Sequence, residues 1–159
     1  MRSPPQTAQG RCLCGAVTVA ITTPAQWAWH DHSRRTQKAH GAQAATWVGT
    51  WKKRFRIVEG EDLVTRWNEP VTGAVRSFCG RCGTPLTLER RRAPHFINIA
   101  RPLLDQSPLR EPRYHLGFEE APEWAYRAEP LKPLKGFPGV LWTGARKRRG
   151  GGELDGFFR

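Results

Sequence analysis

Several features that mark large protein classes are missing from this sequence. Its 159 residues show no sustained 3.6-residue apolar period, and 13 Pro and 16 Gly cut them into short segments, which excludes a bundle of long helices. Residues 12–29 carry no charge, but Thr18, Thr22, Thr23, Pro24 and Gln26 interrupt them, so they do not form a membrane span. The opening MRSPPQTAQGR has no apolar h-region and does not read as a signal peptide. A reducing, cytoplasmic setting is therefore expected, where cysteines more often hold metal than form disulfides. No internal repeat is found. Acidic residues are scarce: 14 Asp plus Glu stand against 26 Lys plus Arg, giving a formal charge of +12. Nucleic acid, anionic lipid or acidic metabolites are the partners that such a balance permits.

What is present suits one folded domain. Hydrophobic residues at 38% argue against disorder, and seven Trp suggest packed β surface or a binding face. Residues 1–10 read as a flexible N-terminus, 11–140 as the folded domain and 141–159 as a basic flexible tail. The alternating run Ala16–Thr22 predicts a strand. Further strands are expected near Trp27–His32, Ala44–Trp51, Phe55/Ile57, Leu63–Trp67, Ala74–Phe78, Leu86/Leu88 and Phe96–Ile99, with an extended segment near Tyr114–Phe118. Ser33–His40 is polar and basic, with Gly41 as a natural stop for a short helix or turn. The expectation is a small, mostly β domain with short helical turns.

The four cysteines form two pairs. In Cys79-Gly80-Arg81-Cys82-Gly83 a C-x-x-C turn presents two sulfurs to one ion. Cys12 and Cys14, one residue apart, fall on the same side of an extended segment. Four thiolates suit tetrahedral Zn²⁺ and leave no open position for water, so a Cys12/Cys14/Cys79/Cys82 site would be structural. Two disulfides or four unlinked thiols are the alternatives. A bridge within C-x-C would close a small, strained ring.

Cys12-Leu13-Cys14-Gly15-Ala16-Val17, His32, His40-Gly41-Ala42, Trp47-Val48 and Phe78-Cys79-Gly80-Arg81-Cys82-Gly83-Thr84-Pro85-Leu86 together resemble the glutathione-dependent formaldehyde-activating enzyme family, whose domain centromere protein V shares. The resemblance runs from about Gly10 to Pro138. It implies an antiparallel zinc-binding β-tent, with one structural zinc on Cys12, Cys14, Cys79 and Cys82. Enzymes of the family are carbon–sulfur lyases. Between the two clusters they carry Cys-His-Cys-x-x-Cys, whose thiolates hold a catalytic zinc that activates glutathione to form S-hydroxymethylglutathione. Counting back from Gly41, those positions fall on Asp31, Ser33 and Thr36, with the intervening histidine kept as His32. Hydroxyls are poor zinc ligands and one Asp cannot hold the ion alone. The family chemistry is expected to be lost or altered here.

Other readings use neighbouring residues. His30, His32 and Asp31, with His40, His95 or His115, offer a replaced metal site, although no H-x₃-H or H-E-x-x-H spacing appears. Trp27, Trp29, Trp47 and Trp51, with Arg34, Arg35 and Lys38, would suit glutathione or a similar anionic small molecule. Arg90-Arg91-Arg92 and Arg146-Lys147-Arg148-Arg149 would support a nucleic-acid-binding module, though the basic residues are scattered. A Ser33–His32 nucleophile pair is disfavoured, because neighbours on an extended chain face opposite ways.

Overall fold

β-branched residues alternating between tight turns produce ten short strands in the computed structural model, which describes residues 6–126. Three of them, β1 (Thr7–Arg11), β2 (Thr18–Thr22) and β5 (Phe55–Glu59), form an antiparallel sheet in the order β1-β2-β5. The other seven are β3 (Trp27–Asp31), β4 (Ala45–Trp51), β6 (Val64–Asn68), β7 (Val75–Cys79), β8 (Pro85–Glu89), β9 (Phe96–Ala100) and β10 (Tyr114–Leu116). They form a sheet in the order β10-β3-β4-β9-β8-β7-β6. Every neighbouring pair is antiparallel except β10 with β3, where His115 sits beside His30 in parallel register. The mostly β expectation is met.

The N-terminal expectation needs correction. Thr7–Gly10 lies within the segment that composition marks as flexible, yet it is hydrogen-bonded along β2 from Thr7↔Thr22 to Arg11↔Thr18. Ala8 and Gly10 are buried there, which composition alone does not register. The boundary at 140 and the basic run 146–149 lie outside the described residues. A second unit begins at Pro122, and its described part is the 3₁₀ turn Glu123–Tyr126. No helix among the described residues is long and apolar enough to cross a membrane.

The one α-helix among the described residues, α1 (Arg34–His40), is fixed at both ends. Ser33 Oγ accepts the Thr36 N–H at its start, and Gly41 takes the left-handed conformation (φ 59°) at its end, donating to Gln37 O. Core packing joins the sheets. Val17, Val19 and Ile21 share one buried cluster with Val48, Leu86, Ile97 and Ile99. Register puts the opposite face of the large sheet in order: Trp47 pairs with Trp29 and Ala100, and Gly49 with Trp27 and Asn98. Gly49 is required, since a Cβ there would meet the Trp27 indole nitrogen at 1.8 Å.

Gly10 makes a close backbone approach from β1 to the Leu103–Leu104 segment. It bridges to Leu104, and a Cβ would lie 1.7 Å from the Leu103 carbonyl oxygen. Because the obstacle is backbone, it cannot turn aside. Gly10→Ala is expected to cost about 1–3 kcal/mol. Denaturant unfolding should show a lower midpoint at unchanged slope, and an unchanged midpoint would contradict this packing.

Candidate metal centre and the neighbouring cleft

Two turns far apart in sequence bring the cysteines together. After β1, the Gly15 N–H donates to Cys12 O (2.8 Å) and Gly15 sits at φ 76°, folding Cys12–Cys14 into a knuckle. Between β7 and β8, the Gly83 N–H donates to Cys79 O (2.8 Å) with Gly83 at φ 73°. All four Sγ atoms lie within 4.8 Å of one another. Cys12 and Cys14 are 3.5 Å apart, Cys14 and Cys79 3.9 Å, and no disulfide links any of them. A Zn–S bond of about 2.3 Å sets tetrahedron edges of roughly 3.8 Å, so the donor set fits that ion.

The electrostatics also suit a cation. Hydrogen bonds from the Thr84 hydroxyl and from the Thr84 and Cys14 amides pull the Cys82 thiol down to about 5. The Ala16 amide favours a Cys14 thiolate, but desolvation and the neighbouring sulfurs outweigh it and push Cys14 up to about 11. Four sulfurs this close resist ionising together, and a divalent ion removes that conflict. Thr84 was not singled out by sequence reasoning beyond its place in the motif. Its Oγ1 accepts the Leu13 N–H (3.0 Å) and lies 3.1 Å from Cys82 Sγ, while its carbonyl accepts the Cys79 N–H (2.9 Å). It therefore couples the two knuckles.

Asp31, Ser33 and Thr36 come together as well, but into a different arrangement. One Asp31 carboxylate oxygen accepts the Ser33 N–H (3.0 Å) and the other the Thr36 hydroxyl (3.0 Å), and Ser33 Oγ caps α1. Asp31 and Thr36 are buried. Arg90 lies 3.8 Å from Asp31, with its guanidinium 5.9 Å from the Trp29 ring centre. These three side chains satisfy one another as the start of a helix.

The expected His/Asp ligand set is not assembled. Along β3 alternation sends Asp31 with Trp29 to one face and His30 with His32 to the other. On that other face His32 Nε2 is 2.9 Å from His115 Nδ1, and His30 Nδ1 is 2.9 Å from Thr46 Oγ1. His40 instead packs edge-on against Trp47, 5.1 Å between ring centres. Among the described residues, the four cysteines are the only group of three or more His, Cys, Asp or Glu whose ligand atoms converge. The expected anion-facing trio is divided. Arg35 is spent on Glu69 at 2.5 Å, and Arg34 and Lys38 lie on the exposed side of α1. Of the four tryptophans, Trp29 and Trp47 are buried, while Trp27 and Trp51 are partly exposed.

The sequence profile of the glutathione-dependent formaldehyde-activating enzyme family matches residues 7–120. The chain belongs to that family. Among solved structures, a Rhodobacter sphaeroides protein determined by structural genomics shares the fold, with a TM-score of 0.54 and 22% identity over 62% of this chain and 89% of that one.

Two outcomes follow from this geometry. Thr84→Val should weaken metal binding about 10–100-fold, as loss of a ligand's hydrogen-bond partner commonly does; competition with a chromophoric chelator would read it, and unchanged affinity would remove Thr84 from the site. The second concerns His32, which burial, then His115 and His30, hold below the ordinary 6.5. An unfolded chain takes up its proton first, so stability falls as pH drops below about 6.5 and is unaffected by this group above it. His32→Asn should flatten that part of the stability–pH curve, and an unchanged slope would contradict the assignment.

Proposed function

We propose that this chain is a zinc-binding member of the formaldehyde-activating family that holds one structural zinc on Cys12, Cys14, Cys79 and Cys82 and does not perform the family's carbon–sulfur lyase reaction. Support for the metal comes from the four converging sulfurs and their hydrogen bonds. With its coordination shell filled by thiolates, the ion supplies a cross-link and no site for substrate. Support for the lost reaction comes from the closed hydrogen-bond arrangement of Asp31, Ser33 and Thr36. A single carboxylate there already accepts two donors and faces Arg90, and the two hydroxyls are weak donors to zinc. No thiolate is present at these positions to hold an ion that would activate a thiol substrate.

Family membership also brings glutathione, or a comparable small anion, as a ligand class. A cleft of about 390 Å³ beside Asp31, walled by Trp27, Trp29, Phe96, Tyr114 and Leu116 with Arg90 at its edge, favours that reading. Nothing comparable supports the nucleic-acid reading, since Arg90 of the basic turn faces Asp31 and the run 146–149 lies outside the described residues.

Metal analysis of the purified chain should give one zinc, and zinc-loaded protein should not accelerate S-hydroxymethylglutathione formation from glutathione and formaldehyde. Asp31→Cys, Ser33→Cys and Thr36→Cys combined should raise the content to two. Two zinc ions in the parent chain, or turnover by it, would overturn the proposal.

A further inference from the structure

A second cavity, of about 280 Å³, opens on the large sheet between α1 and the β7–β8 hairpin, lined by His40, Trp47, Trp67, Arg76, Phe78 and Pro85 among others. Its walls are aromatic, yet two N–H donors of lining residues are orphaned. Trp47 Nε1 and Arg76 Nη1 are both shielded from solvent and have no hydrogen-bond partner. Buried donors are nearly always paired, so two on residues that line one cavity call for an acceptor.

Charge says which kind of acceptor. Around Arg76 stand Glu69 and Asp31 as anions and Arg35 and Arg90 as cations. Arg35 is paired with Glu69 at 2.5 Å, and Arg90 lies 3.8 Å from Asp31. That leaves Arg76 as the odd cation, without an ion pair or side-chain hydrogen bond among the described residues. The group thus carries one excess positive charge, three guanidinium ions against two carboxylates. Burial, then Arg76, disfavours charge on His40. A half-buried guanidinium without an ion pair suits a planar carboxylate. The rest of the lining, Trp47, Trp67 and Phe78, suits an apolar or aromatic body. At roughly 30 Å³ per water, the volume matches about nine waters, enough for one ring and its carboxylate. The larger cleft beside Trp29 carries no such unmatched cation, since Arg90 there already faces Asp31.

We propose that the Trp47–Arg76 cavity binds a small organic monocarboxylate with an aromatic or apolar body, the carboxylate on Arg76 and the Trp47 N–H, the body against Trp67 and Phe78. This holds whether or not the metal reading is right, because none of these residues is a cysteine of the cluster. The test uses the full zinc-loaded chain titrated with benzoate, benzamide and inorganic phosphate, followed by calorimetry and by the Trp47 indole N–H resonance. Benzoate should saturate and move that resonance, and benzamide and phosphate should each bind at least about tenfold more weakly. Arg76→Gln should reduce benzoate binding by about tenfold or more at unchanged zinc content. Should that variant fold poorly, Trp47→Phe, which keeps a ring and removes the donor, should weaken benzoate severalfold. Absence of saturation at 10 mM benzoate (on the order of a thousandfold above a ten-micromolar site), equal binding of benzamide, or an unmoved Trp47 resonance would each overturn the assignment.

Discussion

Four sulfurs from two turns more than sixty residues apart occupy a space in which no two are farther than 4.8 Å from each other. Without a cation that is an unfavourable arrangement, because the thiols hinder one another's ionisation. Against the Ala16 amide, desolvation and the neighbouring sulfurs push Cys14 up to about 11, whereas hydrogen bonds from Thr84 and the Cys14 amide pull Cys82 down to about 5. With a divalent ion the same proximity becomes a cross-link. The position of this cross-link gives it structural reach. One knuckle follows β1 of the small sheet, the other joins β7 to β8 of the large one, and Thr84 hydrogen-bonds to both. An ion held there would join the two sheets at one end, and Val19, Ile21, Leu86, Ile97 and Ile99 join them along their length.

The second constraint is local and polar. At Asp31, Ser33 and Thr36 this chain places a carboxylate and two hydroxyls, which are complementary as hydrogen-bond partners. An Asp can accept from the backbone two residues on and from a hydroxyl five residues on, and a Ser can cap the helix between them. The result orients α1 and brings Arg35 to Glu69, whose carboxyl is held below its ordinary value by the Thr72 hydroxyl, with Arg35 adding to the effect against the cost of burial. This segment serves helix capping, which follows from its side-chain types.

These two constraints leave the outer face of the large sheet as a platform. Trp29, Trp47, Asn98 and Ala100 lie on it in register, and one cavity opens against Trp29 and another against Trp47. Guanidinium groups converge on that face from α1, β7 and the β8–β9 turn. Two of them meet carboxylates, and Arg76 has no such partner among the described residues.

Much of this was legible beforehand. The alternating β-branched runs marked the strands, Gly41 marked the end of α1, and the spacing of the two cysteine pairs pointed to one four-thiolate site. Such features depend on side chains a few residues apart, whose relation the backbone period fixes. What remained hidden depends on contacts between distant segments. Thr7–Gly10 is ordered because β2 pairs with it, and Thr84 matters because folding brings Leu13 beside it. His30 and His32 are parted from Asp31 by strand alternation, yet only the parallel pairing of β10 with β3 supplies His115 as their neighbour. Arg76 is one of 26 basic residues in the sequence. Its distinction, a guanidinium left unmatched among paired neighbours, arises from packing and could be decided only by the tertiary structure.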